Sequence, residues 1–224
     1  MRFDFAGIYG QLRQDLLDLG STLSADEWST LAPATPLWTV KDLYAHLAGV
    51  AADLLIGNFQ VMGSDVWTAV QVGDRADHSP EQVMAEWART GIDVDQRIAE
   101  IGAPLSPAAI DLWHHDQDAR NAIGHYANRT GDGVALSLRS GNVMGPKIEA
   151  ADLPALRVST EGYERVFGPG DPAASVSGDP YEMARAFMGR RSFDQIMGFD
   201  WTGDPGPYLS HFSVFPPRTD ELIE

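Results

Sequence analysis

The chain has 224 residues, 44% of them hydrophobic and 21% charged, enough for one large globular domain or two small ones. Its 32 acidic and 16 basic residues leave a net charge of -16, which argues against a broad surface for nucleic acid or an anionic membrane. It has no cysteine, so disulfides, thiolate metal sites and a cysteine nucleophile are excluded, and thiol chemistry here needs a thiol from a small molecule.

The opening MRFDFAGIYG shows no basic stretch leading into an apolar run, so no signal peptide is expected. No apolar run reaches the roughly 18 residues of a membrane span, and a cytoplasmic location is the expectation. Residues 4–20 place Phe5, Ile8, Leu12, Leu16 and Leu19 near helical spacing, with Gly20 as a stop. Ser24, with Glu27 three residues on, opens a short helical turn. After ATPLWT, Thr39 and Asp42 form a capped start, and VKDLYAHLAGVAADLLIGNFQVM predicts one long helix. Leu43, His46, Leu47, Val50 and Leu54 share its inward face. Residues 63–78, rich in glycine, aspartate and polar side chains, read as the longest loop of the first half. Ser79-Pro80 opens another long helix to about Ile101, and Ser106-Pro107 a last one to near Asn128. Four helices with mostly short connections predict an up-and-down bundle over residues 1–135.

Beyond Thr130 glycine and proline rise and apolar runs shorten, which places a boundary between 130 and 155. LPALRVSTEGYERVFG carries strand-like stretches interrupted by Gly162. SVSGDPYEMARAFMGRRSFDQI begins strand-like, and Asp179, Pro180 and Glu182 then open a helix over 180–196. LSHFSVF reads as a short strand, and GDGVALS and FGPGDP as turns without the spacing or lysine of a phosphate loop. A small α/β domain over 150–224 follows, which makes the fold class α+β.

Chemistry concentrates on His46, Asp111 and His115. Asp111 and His115 are four apart in DLWHH and therefore lie one above the other on a helix. They share an inward stripe with Ala108, Leu112, Ala119, Ala122 and Tyr126, whose small members leave room beside His115. With His46 from the second long helix, two imidazoles and a carboxylate suit zinc with one position open. Nickel, iron and manganese accept the same donors. The same residues also serve as an ordinary helix ion pair and a satisfied core histidine. A buried carboxylate without a partner is expensive, and a metal removes that cost.

The segment TPLWTVKDLYAHLAGVAADL, through Pro36, Trp38, Thr39, Asp42, Leu43, His46 and Leu47, resembles the opening motif of the mycothiol-dependent maleylpyruvate isomerase family, in the DinB-like bundle superfamily. IDLWHHDQDARNAIG resembles its second motif through Asp111, His115, Asp118 and Arg120, with Asp111 where the family has glutamate. VSGDPYEMARAFMGRRSFDQI and FDWTGDPG resemble its small second domain. The resemblance implies a DinB-like four-helix bundle, a sterol-carrier-like α/β domain and a divalent metal, with Zn2+ expected first. It also implies mycothiol or a related small thiol acting on a small electrophile, as isomerase or S-transferase. A metal-dependent hydrolase with Asp118 as base, and a bundle that binds metal or ligand without catalysis, are the alternatives.

Among other residues, Asp118 is the candidate to orient a ligand imidazole, against a local pair with Arg120. Arg190 is the candidate to read a substrate carboxylate, with Arg191 beside it. Arg75 and Arg89 are further candidates for the cleft. Arg120 is expected to tie helices together, and His114 to be structural or at the surface. His78 is expected to be a loop residue and His125 to be exposed, and His211 has no assigned role. Trp38, Trp67, Trp87 and Trp113 are read as packing residues, with Trp38 closing one end of the bundle.

Overall fold

A computed structural model describes residues 3–58 and 62–224, and the chain divides between Ala127 and Asn128 into two compact units. The first unit holds helices α1 (Phe5–Gly20), α2 (Ala25–Ser29), α3 (Val40–Ile56), α4 (Asp65–Gly73), α5 (Pro80–Ile101) and α6 (Ser106–Ile123). Helix α3 packs on α5 and α6, and α1 packs on the same two, so these four long helices close a ring around one core. None of the described helices is long and apolar enough to cross a membrane.

Local chemistry explains the starts. Ser24 with Glu27, Thr39 with Asp42, and Ser79 with Gln82 each form a reciprocal capping box, as the sequence implies for the first two. Ser106 departs from expectation. It is the first helical residue rather than the cap, because a short 3-10 turn over Ala103–Leu105 runs straight into α6.

Two ends also differ. Helix α3 stops at Ile56, where Gly57 turns left-handed at φ 74°. The sequence extends it to Met62, and Phe59, Gln60 and Val61 of that run lie outside the described residues. Helix α6 ends at Ile123, so Tyr126 lies beyond it and is exposed instead of facing inward.

The larger correction is α4, which occupies the expected loop. Ser64 caps it, and its buried Trp67 and Gln71 pack it against α3. Gly49 makes that approach close, since a Cβ there would stand 2.5 Å from the Gln71 Cβ. Arg75, half a turn past α4, forks onto Glu86 of α5 at 3.0 Å from Nε and donates to the Gln71 carbonyl at 2.9 Å. It holds α4 down; Arg89 is exposed.

The second unit opens with helices α7 (Asp132–Ser137) and α8 (Met144–Ala150), joined by a 3-10 stretch. GDGVALS is therefore largely helical, not a turn. A four-stranded sheet follows in the order β2-β1-β3-β4. Strands β1 (Ala155–Thr160) and β2 (Tyr163–Phe167) form an antiparallel hairpin across Gly162. Strand β3 (Pro172–Ser177) runs parallel to β1, and β4 (Asp200–Thr202) antiparallel to β3.

The expected single helix over 180–196 is two, α9 (Pro180–Phe187) and α10 (Phe193–Met197). Gly189 breaks it at φ 74°, with the carbonyls of Phe215 and Pro216 where a side chain would sit. LSHFSVF is not a strand: a 3-10 turn runs over Gly206–His211. Phe187 and Phe212 meet in the core of this unit, with ring centroids 5.4 Å apart.

Candidate metal centre

The adjacent helices α3 and α6 bring His46, Asp111 and His115 together. Helix α3 is buried on nearly every side from Leu43 to Ala51, and α6 from Leu112 to Arg120, so a polar group on either needs a built partner. The His46 Nε2 lies 3.2 Å from Asp111 Oδ2, and the His115 Nε2 lies 3.4 Å from Asp111 Oδ1. One ligand atom from each residue falls within 4.8 Å of the others. The imidazoles are 2% and 8% exposed, whereas the Asp111 side chain is 33% exposed, so the opening is on the carboxylate side.

Both imidazoles are held from behind. His115 Nδ1 lies 3.0 Å from Oδ2 of the fully buried Asp118. His46 Nδ1 lies 2.7 Å from Gln71 Oε1, and Gln71 Nε2 donates to Asp53 Oδ2 at 2.6 Å. A carboxylate only accepts, so the Gln71 amide must turn its NH2 to Asp53 and its oxygen to His46. That orientation, assigned from the network, places a proton on His46 Nδ1, the Asp118 carboxylate likewise requires one on His115 Nδ1, and each neutral imidazole then turns its Nε2 lone pair to Asp111. Two lone pairs and a carboxylate then converge, and only a cation relieves such an arrangement. The donor set therefore fits a divalent metal, held by His46, Asp111 and His115.

In the metal-free protein a proton takes that place. Burial alone depresses an imidazole, yet Asp111, with Asp118 behind, pushes His115 up to about 9. For Asp111, burial opposes ionisation, but the two imidazoles hold it well below the usual carboxylate range.

The walls are aromatic. A bridge between Leu31 and Thr39 folds back the 32–38 segment, and Trp38 lies 5.1 Å from the His46 ring and 5.8 Å from the His115 ring. Trp67 stands edge-on to His46 at 6.2 Å. Its indole N–H is buried and has no acceptor among the described residues. Trp38 and Trp67 thus pack as expected, but against the site.

The remaining candidates separate. Asp118 bonds His115, and Arg120 pairs with Asp116 at 2.7 Å while reaching the Asp15 carbonyl of α1 at 3.5 Å. His114 is buried against Trp113, not at the surface, and His125 is exposed. Arg190 lies in the second unit, half-buried, and donates to the Met188 carbonyl at 3.3 Å. Gln71 escapes a sequence reading that treats 63–78 as loop, and Asp53, on the expected long helix, is missed because its link to His46 runs through Gln71. The available signals are Ser64 capping a segment with Val66 and Val70 four apart, and Asp53 two turns beyond His46 on the same helix.

Residues 9–129 match the family model described as the mycothiol maleylpyruvate isomerase N-terminal domain. The chain is also similar to the crystal structure of a histidine-to-alanine mutant of the mycothiol-dependent maleylpyruvate isomerase. That likeness has 15% identity, a TM-score of 0.56, and covers 96% of this chain and 95% of that one, a similarity of fold. No curated protein matches the chain significantly.

Proposed function

The chain belongs to the mycothiol maleylpyruvate isomerase N-terminal domain family, and on that premise we propose a metal-dependent enzyme that works with a low-molecular-weight thiol, mycothiol or a relative, on a small electrophile. The observation that carries the proposal is the convergence of His46 Nε2, His115 Nε2 and the Asp111 carboxylate, with both Nδ1 atoms tied back. A divalent cation held there, Zn2+ first among the candidates, supplies a Lewis-acidic position at which a thiol ionises near neutral pH.

The rest falls to the chain's own residues. Gln71 and Asp118 hold the imidazoles in one tautomer and orientation. Trp38 and Trp67 exclude water and lower the local dielectric, and the Trp67 N–H offers a donor to a polar ligand beside His46. The absence of cysteine fits a thiol delivered by a small molecule. The reaction class is addition of that thiol to an electrophilic carbon, followed by elimination in an isomerase or retention of the adduct in an S-transferase. Arg190 is proposed to read a substrate carboxylate, and the second unit is assigned a sterol-carrier-like fold on the resemblance.

Hydrolysis is the less favoured reading. It needs a base near the metal, and Asp118 is fully buried and bonded to His115. The test is a metal-replete screen of mycothiol and related thiols with maleylpyruvate and simple electrophiles. Thiol-dependent turnover that disappears in His46→Ala is expected. Turnover that ignores the thiol, or an absence of turnover from metal-loaded protein, overturns the proposal.

A further inference from the structure

The two ligand imidazoles are backed by groups of different chemistry. Behind His115 stands the fully buried Asp118, with a carboxylate oxygen 3.0 Å from Nδ1. A carboxylate only accepts, so a neutral His115 keeps its proton on Nδ1. Behind His46 stands the Gln71 amide, 2.7 Å from Nδ1. An amide presents an acceptor and a donor of nearly the same shape, so turned over it suits the opposite tautomer.

Asp53 stands against that reversal. It lies two turns past His46 on α3 and reaches the ligand through Gln71, accepting from Nε2 at 2.6 Å. Its other oxygen accepts from Asn58 Nδ2 at 2.8 Å, so both oxygens are already engaged by donors. A reversed Gln71 would set its own oxygen against the carboxylate, two acceptors with no proton between them. The reversed state nevertheless has a partner waiting in the site. With Gln71 donating to Nδ1, His46 carries its proton on Nε2, and Nε2 already stands 3.2 Å from Asp111 Oδ2. That tautomer donates to Asp111 and has no Nε2 lone pair left for a cation. The number of protons is the same in both states; only the place of one differs.

We propose that Asp53 is a positioning residue that keeps the site open to metal. Through the Gln71 amide it selects the His46 tautomer with a free Nε2, and it excludes a closed tautomer whose Nε2–H is spent on Asp111. His115, backed directly by a carboxylate, has no such second state. The inference rests on the metal reading of the site.

Asp53→Asn has the same shape and permits both amide orientations. Imidazole nitrogen NMR separates the two neutral tautomers. In the metal-free parent, with His46 neutral, it is expected to show the Nδ1–H form alone, and in the variant a mixture. Zinc affinity, measured by competition with a chelating dye, is expected to fall about 10-fold in the variant. Adding Gln71→Glu exchanges the amide and the carboxylate, so that position 71 accepts from both sides. The exchange is expected to restore the single tautomer and the affinity. If the parent binds zinc and Asp53→Asn keeps either one His46 tautomer or the parent affinity, the proposal fails and the metal reading stands. An affinity that the exchange does not restore assigns Asp53 to the seating of α4 alone and overturns the proposal too. A parent that binds no zinc removes the metal reading and the proposal with it. Should Asp53→Asn not fold, the metal-free parent decides: an Nε2–H population of His46 there overturns the proposal.

Discussion

Replacing Asp111 by asparagine removes the charge on which the two imidazoles converge. In the metal-free protein His115 titrates at about 9 instead of 6.5, and that difference corresponds to about 3 kcal/mol of stability. Because the folded value lies above the unfolded one, this contribution is complete below about pH 6.5 and is lost as pH rises through about 9. Asp118 still touches Nδ1 in the variant and retains part of the effect. Asp111→Asn is therefore expected to be less stable by about 1–3 kcal/mol at pH 6 and to approach the parent at pH 10. The assay is urea unfolding of chelator-treated protein across that range, with NMR titration of the His115 ring. An identical pH slope in parent and variant, or a His115 ring that titrates below pH 7 in the metal-free parent, refutes the reasoning.

His46→Ala and His115→Ala should each abolish stoichiometric metal by elemental analysis. Unchanged metal content and melting temperature in both would sink the metal centre. Gln71→Leu should leave the bundle folded and weaken metal affinity about 10–100-fold, measured by competition with a chelating dye; parent-like affinity would show that His46 needs no help from behind. Gly49→Ala forces a methyl against the Gln71 stem, so a loss of about 1–3 kcal/mol together with weaker metal binding is expected. A stability loss with intact metal affinity would separate the seating of α4 from the site. Metal loading should raise the melting temperature of the parent and not of His46→Ala, read by calorimetry with and without chelator.

Much of the bundle and the core of the site are legible in the chain itself. Thr39 with Asp42 and Ser24 with Glu27 cap helices through contacts three residues apart, so they work in any surroundings. Asp111 and His115 share a helix face for the same local reason. The pairing across β1 and β2 follows from the turn at Gly162. Where the outcome depends on distant partners, local patterning misleads. Residues 65–73 are read as loop because glycine, aspartate and polar residues flank them on both sides, yet they form a short helix that packs on α3. LSHFSVF alternates like a strand, but Phe212 is claimed by the core beside Phe187.

By itself, then, the sequence determined the capped long helices, the absence of any protein thiol and the two-histidine, one-carboxylate donor set, because each rests on residue identity or on contacts within a turn or two. Tertiary structure alone decided that Gln71 and Asp53 set the His46 tautomer, that Trp38 and Trp67 wall the site, and that Glu224 pairs with the buried Arg185 and Arg191. Those partners lie from 18 to 39 residues apart in the hydrogen bonds they make, and no short-range periodicity records which buried polar group will face which. Only the packing of one element on another leaves a buried lone pair or charge that must be answered.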